Sequence, residues 1–270
     1  MMIASNVHTH TVFSDGKNTP EEMVTAAREK GFVSLGISDH SDTPFDPTGY
    51  CMEDKDYGRY LAALRGLQER LEGEFELFCG MEKDYYSPID ASLYDYVIGS
   101  VHYVPDPNGG DPWSVDMSRA VQEEYVAKCC GGEKLELAKR YFELVVRHAE
   151  TEPFLIQGHF DLVNKFGLFD DESEAYRHTA REALRAVAPL VPYFEINTGA
   201  MYRGYRTAPY PAPFLLEEMQ RLGVKPVLNG DSHDIPSLDH AFAETEALLK
   251  KTGFSSLWRM RRGGMEEILL

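Results

Sequence analysis

The sequence predicts an α/β fold built as a closed parallel barrel, and three observations predict it. Seven short apolar stretches succeed one another, with helical patterns in between. The 270 residues suit one α/β barrel and are long for one sandwich. Six of the seven stretches lead into a histidine, aspartate or glutamate, and a parallel barrel gathers all such strand ends on one face.

The candidate strands are Ile3–Val7, Val33–Ile37, Glu76–Cys79, Tyr96–Val101, Phe154–Gln157, Tyr193–Ile196 and Lys225–Leu228. Each is brief and has β-branched or aromatic residues at its heart. Helices are expected over Pro20–Lys30, Tyr57–Leu71, Lys134–Glu150, Glu172–Val187, Ala212–Leu222 and Leu238–Lys251. Thr19-Pro20-Glu21-Glu22 supplies an N-cap, a first-turn proline and acids at the positive end of the helix dipole. Gly31 and Gly223 sit just past helix ends. A doubly wound sheet is the alternative, but it would carry a glycine-rich phosphate turn after the first strand, and that turn is His8-Thr9-His10. No repeat or linker divides the chain, so a single domain over residues 1–270 is expected. Within it Tyr103–Gly132, rich in proline and glycine, reads as an irregular loop and a candidate lid.

Composition narrows the partners. The chain is 43% hydrophobic and 26% charged, as in ordinary globular proteins. It contains no run near the roughly 20 apolar residues needed to cross a bilayer, and no secretory signal pattern, so no membrane association and cytoplasmic residence are expected. Cys51, Cys79, Cys129 and Cys130 form no C-x-x-C pair and read as free thiols in a reducing compartment. The net charge of −17 repels a nucleic acid backbone, which is normally bound by Lys and Arg. A small phosphate in a local basic pocket is still compatible with it. Oligomeric state is left open.

The histidines and acids fall in a pattern. The first strand leads into His8 and His10, with Asp15 five residues further on. The second leads into Asp39-His40, the third into Gly80-Met81-Glu82 and the fourth into Ser100-Val101-His102. Gly158-His159-Phe160-Asp161 follows the fifth and Asp231-Ser232-His233 the seventh. A neutral imidazole offers nitrogen to a metal, while carboxylates offset a dication's charge and can bridge two ions. Such a mixed set suits Zn, Fe or Mn better than Mg or Ca. One histidine after a strand is usually an ordinary loop residue. Here His8, His10, His40, His102, His159 and His233 are six of the nine in the chain, and all follow predicted strands. The other three read as structural: His148 late in a helix, where a cation complements the dipole, His178 within a helix and His240 opening the last one.

These motifs, from His8-Thr9-His10-Thr11 with Ser14-Asp15-Gly16 through to Asp231-Ser232-His233, resemble the polymerase-and-histidinol-phosphatase (PHP) family. Within it the sequence is most similar to the stand-alone histidinol-phosphatases, through Gly158–Leu162, Glu195-Ile196-Asn197-Thr198 and Tyr210-Pro211. The resemblance implies a distorted (β/α)7 TIM-like barrel with two or three divalent ions (Zn, Mn or Fe), and hydrolysis of L-histidinol phosphate to L-histidinol and phosphate. It implies one ion on His8, His10, Glu82 and Asp231, and a second on Asp15, His40 and His233. A third would lie on Glu82, His102 and His159, with Glu82 bridging. Position 15 is histidine in many relatives and aspartate here, which makes the second set richer in oxygen.

A phosphomonoester needs an in-line attacking oxygen and positive charge about its equatorial oxygens, and adjacent dications supply both. The chain has no C-x5-R loop or G-x-S-x-G elbow, so a covalent route lacks support. Arg203 and Arg206 after strand six are the phosphate-binding candidates, Arg203 foremost because similar phosphatases keep an arginine there; Lys165 is a weaker one. Asp161 is expected to orient a ligand histidine or to protonate the leaving group. Asp42 and Asp46 are candidates for the substrate's cationic groups. The rival readings are a phosphoesterase for mononucleotides, nucleic acid ends or phosphotyrosine, an amidohydrolase-type C–N hydrolase, and a metal-retaining module without turnover.

Overall fold

The computed structural model describes residues 5–46 and 48–270. Ile3 and Ala4 of the first candidate strand lie outside that range. The elements run β1 (Ser5–Asn6), α1 (Pro20–Glu29), β2 (Ser34–Ile37), α2 (Tyr57–Arg70), β3 (Glu76–Asp84) and β4 (Tyr96–Ser100). Then come β5 (Tyr103–Val104), β6 (Trp113–Ser114), α3 (Arg119–Cys129), α4 (Lys134–Thr151), β7 (Ile156–Gln157), α5 (Glu174–Val187) and β8 (Tyr193–Asn197). The chain ends with α6 (Gly199–Tyr202), α7 (Pro213–Leu222), β9 (Pro226–Asn229), α8 (Phe242–Thr252), β10 (Ser256–Arg261) and β11 (Gly264–Leu269).

The main sheet has the order β1-β2-β3-β4-β7-β8-β9-β10-β11, parallel throughout except for the last pair. All seven expected strands are present in sequence. β1 and β9 meet at a single parallel bridge, Thr9 with Ser232, rather than along a ladder. There His10 N–H donates to the Ser232 carbonyl at 2.8 Å and Ser232 N–H to that of His8 at 3.0 Å. The two ends of the parallel run therefore meet where the His8 and His233 motifs emerge.

Inside the sheet sits a small core of Val7, Tyr96, Ile98, Ile156, Val227 and Met260. Gly36 and Gly80 make room for it: a Cβ on either would lie 2.2 Å from the Tyr96 ring or its oxygen. The Tyr96 hydroxyl donates to the Val7 carbonyl at 2.5 Å. The larger core lies between sheet and helices and includes Leu35, Leu64, Phe142, Leu184 and Leu215. Thr19 and Glu22 form the capping box that starts α1, and Gly223 ends α7 in the left-handed conformation at φ 68°.

Four expectations change. Tyr103–Gly132 is not irregular: its prolines and glycines crowd the loop of the β5–β6 hairpin, and Ser118 caps α3. Gln122 binds this segment to the Val163 carbonyl at 2.9 Å and Arg119 binds it to that of Gly167 at 3.0 Å. The last helix begins at Phe242, after a capped turn at Asp234–Ser237 and a left-handed Ala241, so His240 precedes it. The β10–β11 hairpin was not foreseen; β10 joins the sheet at Trp258 beside Val227.

His148 is the fourth. It is not a cation at a helix end but a buried ring beside Phe154 and Tyr85, with centroids 4.8 and 5.6 Å away and no hydrogen-bond partner on either nitrogen. Burial lowers its pKa from 6.5 to about 4. Between those values the unfolded chain binds the proton and the native state refuses it. The stability His148 contributes is therefore complete above about pH 6.5 and is lost as pH falls toward 4. The loss is about 2 kcal/mol by pH 5. His148→Phe is expected to reduce the drop in urea-unfolding stability between pH 7 and pH 5 by that amount. An equal drop in variant and parent would refute the assignment.

Candidate metal centre

Glu82 stands at the middle of the site because β3 runs on past Cys79, carrying it to the level of the other strand ends. Glu82 is thus within the strand rather than after it, and its backbone pairs with that of His40. Five imidazoles surround its buried carboxylate. Its Oε1 is 2.8 Å from His159 Nε2 and 3.4 Å from His102 Nε2. Its Oε2 is 2.7 Å from His40 Nδ1, 3.3 Å from His8 Nε2 and 3.7 Å from His10 Nε2. Asp231, at φ 45°, places Oδ1 3.2 Å from His10 Nε2 and 3.8 Å from His8 Nε2. Asp15 reaches His233 Nε2 at 3.2 Å and His40 Nε2 at 3.7 Å. All nine expected ligands therefore lie in one cluster.

Three groups of donor atoms are close enough to hold an ion: His8, His10 and Glu82; His10, Asp15, His40 and His233; and His40, Glu82 and His102. They share His10, His40 and Glu82, and so overlap more than the order of the motifs implies. His159 touches Glu82 but lies outside the third group.

Residues not anticipated from the sequence hold the ligands in place. Glu195 on β8 accepts from His8 Nδ1 at 2.6 Å and from the His159 backbone N–H at 2.8 Å. Asp84 on β3 accepts from the backbone N–H of His102 at 2.9 Å, and its Oδ2 lies 3.2 Å from His102 Nδ1. Each contact on Nδ1 turns Nε2 toward Glu82, as metal-bound histidines require. Asp39 receives the Thr11 N–H at 2.6 Å and the Ser14 hydroxyl at 2.5 Å, fixing the loop that carries Asp15. Serine 100 donates to Glu82 Oε1 at 2.7 Å.

The cluster fits metal ions by a test of satisfaction. His8 Nε2, both ring nitrogens of His10 and Glu82 Oε2 are buried without a hydrogen-bond partner. Buried polar atoms left so are costly and rare, and these converge as a donor set of nitrogen and oxygen. Burial opposes charge throughout, yet the imidazoles of His8, His40 and His102 hold the Glu82 carboxyl well below its usual range. Arg203 and His8 do the same for Asp231. Burial lowers the imidazoles too, but in His8 Glu195 and Glu82 outweigh it, and in His102 Glu82 and Asp84 do so, so both rise. In His10 burial wins, with His233 and His40 adding to it. Protons thus compete with cations for these nitrogens.

The cluster forms the floor of a cavity of about 450 Å³, lined also by Tyr50, Asp46, Asp116, Lys165, Tyr202 and Arg203. A larger open groove, about 790 Å³, lies at the opposite end of the strands and contains none of these residues. Arg203 faces the cavity with Nη2 2.8 Å from Asp231 and Nη1 3.2 Å from His233 Nδ1. Lys165 also lines it, paired with Asp116 at 2.5 Å. Arg206 does not: its guanidinium is buried over the Tyr210 ring and 3.1 Å from Asp161. Asp161 accepts through Oδ2 from Arg206 and from the Ala212 N–H, also at 3.1 Å, and is absent from the cavity wall. The roles expected of Asp161 and Arg206 are therefore corrected: each is the other's buried counterion. Asp42 lies off the wall near Asp54 and Glu53, whereas Asp46 is on it.

The chain is similar to several known proteins at low identity. A "probable histidinol-phosphatase" of Deinococcus radiodurans is 28% identical over 256 residues, covering 91% of this chain and 92% of the relative. The histidinol-phosphatase of Lactococcus lactis is 25% identical over 263 residues, covering 93% and 91%. A crystal structure of the histidinol phosphate phosphatase from Lactococcus lactis, complexed with Zn, L-histidinol and phosphate, superposes with a TM-score of 0.74. It is 24% identical and is covered in full, against 98% of this chain, which establishes the shared fold. The PHP domain pattern matches residues 6–199, the stretch that holds seven of the nine clustered side chains, and the chain belongs to the PHP domain family.

Proposed function

We propose that the chain is a metal-dependent phosphomonoesterase that hydrolyses L-histidinol phosphate to L-histidinol and phosphate. One observation carries this: Glu82 and eight other histidines and carboxylates form one cluster at the floor of a cavity whose wall presents Arg203 and Lys165. The names of the relatives, and the Zn, L-histidinol and phosphate in the Lactococcus lactis structure, support it. The ligands are His8, His10, Asp15, His40, Glu82, His102, His159, Asp231 and His233, holding two or three Zn, Mn or Fe ions. A bound cluster supplies a water acidified enough to attack phosphorus and positive charge for the phosphoryl oxygens.

The protein's own groups do the remainder. Glu195 and Asp84 orient His8 and His102. Arg203, held by Asp231, presents a planar donor fork to the phosphoryl group. Tyr50 and Met117 also line the cavity. The net charge of −17 favours a small substrate with a cationic portion over a polynucleotide. Among the described residues no helix is long and apolar enough to cross a membrane, and we assign the enzyme to the cytoplasm.

The purified protein should contain bound transition metal and release phosphate from L-histidinol phosphate faster than from mononucleotides or phosphotyrosine. No bound metal and no release across that panel would overturn the assignment. A mononucleotide as best substrate would replace it with the nucleotidase reading.

A further inference from the structure

The cavity contains an ion pair with no part in the metal cluster. Lys165, in the turn after β7, places Nζ 2.5 Å from Asp116 Oδ1, on the segment between β6 and α3. The Lys165 side chain is 9% exposed and that of Asp116 30%. Their walls do not swing freely, because Gln122 and Arg119 tie the Asp116 segment to the Lys165 turn.

The other carboxylates on the cavity wall are committed elsewhere. Asp15 and Asp231 stand among the imidazoles. Asp46 accepts from the Tyr103 hydroxyl, and Asp234 accepts from Lys17 and Tyr202. Two cavity carboxylates are paired with a cation that an incoming phosphate would compete for, Asp231 with Arg203 and Asp116 with Lys165; Asp231 also stands among the imidazoles of the cluster, whereas Asp116 has no part in it.

We propose that a substrate bearing both phosphate and ammonium opens this pair by exchange, with its phosphate taking Lys165 and its ammonium taking Asp116. Asp116 is then the residue that selects 1,2-aminoalkyl phosphates, a class that includes L-histidinol phosphate. The proposal rests on the phosphatase assignment above and adds to it the reason for selectivity. A phosphate without an amine draws Lys165 away and leaves a largely buried carboxylate without its counterion, which is costly. An amine without a phosphate leaves Lys165 in the same condition. The zwitterion satisfies both, replacing one ion pair with two. The two charged groups of such a substrate lie on neighbouring carbons, which suits two protein charges that begin in direct contact.

The test compares kcat/KM for L-histidinol phosphate and for 3-(imidazol-4-yl)propyl phosphate, which lacks the amine, on the metal-loaded enzyme. The unaltered protein should prefer the amine by roughly 10- to 100-fold, the value of a hydrogen bond to a charged group. Asp116→Asn should collapse that preference to within about threefold, since a neutral amide keeps the shape and loses the ionic pairing. Inorganic phosphate, as an inhibitor, should bind the variant more tightly because Lys165 is no longer occupied. A preference that survives Asp116→Asn, or phosphate inhibition that does not strengthen, overturns the exchange. If the variant fails to fold, the parent alone decides: equal kcat/KM on the two phosphates refutes the proposal. In that case the phosphatase assignment stands, whereas release from neither phosphate would refute that assignment itself.

Discussion

Glu82→Gln is expected to lower kcat/KM by roughly a thousandfold, the equivalent of several kcal/mol of transition-state stabilisation, and to reduce the metal content of the purified protein. The size of the effect follows from position. The carboxylate accepts the Ser100 hydroxyl and stands within 3.7 Å of five imidazoles. It is shared by two of the three groups able to hold an ion. An amide of the same shape has no charge to offset a dication and brings N–H donors into a ring of imidazoles. Those imidazoles would repel one another when protonated, and the carboxylate common to all five would be gone. Elemental analysis alongside steady-state rates decides the matter. A variant with full metal content and more than a tenth of parental activity would remove Glu82 from the bridging position.

Much of this geometry was legible in the sequence, for a simple reason. Strand-end residues are fixed by the order of the elements, and a parallel sheet maps that order onto one face. His8, His40, His102, His159 and His233 could be placed together without knowing any angle. What was not legible depends on which way a side chain points from inside an element. Glu195 lies among apolar neighbours within β8 and Asp84 ends β3 after Glu82 and Lys83, and neither pattern says which side chain turns to the inner face of the sheet. The error over Asp161 and Arg206 is of the same kind. Both flank the cavity in sequence, but Asp161 faces the Arg206–Ala212 segment and the two form an ion pair beneath the wall. His148 was misread because position in the last turn of α4 suggested a cation, while packing against Tyr85 and Phe154 makes it a neutral core ring. The β10–β11 hairpin escaped because its polar residues are ion-paired across and beyond the hairpin, Arg259 with Glu266 and Arg261 with Glu76. That leaves no strong apolar alternation to read.

Glu195→Gln should have the second-largest effect, and it acts without touching substrate. The Glu195 carboxylate is fully buried and accepts from four donors. Oε1 takes His8 Nδ1 and Asn229 Nδ2, at 2.6 and 3.0 Å; Oε2 takes the His159 N–H and Asn197 Nδ2, at 2.8 and 2.9 Å. Burial would push this carboxyl up, but the His8 imidazole outweighs it and holds the pKa below the usual range. Glutamine must direct an NH2 at one of the two donor pairs. Neither asparagine can turn to receive it, because Asn229 Oδ1 already accepts from Val7 N–H and Asn197 Oδ1 from Gly199 N–H. The His159 donor is backbone and is fixed. The variant therefore buries at least one unsatisfied donor, at a cost of about 1–3 kcal/mol in unfolding free energy. If the amide faces His8, the ring loses the carboxylate that sets its tautomer, and metal affinity should fall about 10- to 100-fold. Zinc titration of the chelator-treated protein measures the affinity, and urea unfolding of the same sample measures the stability. Unchanged zinc affinity despite lost stability would make Glu195 a support of the sheet rather than of the metal site.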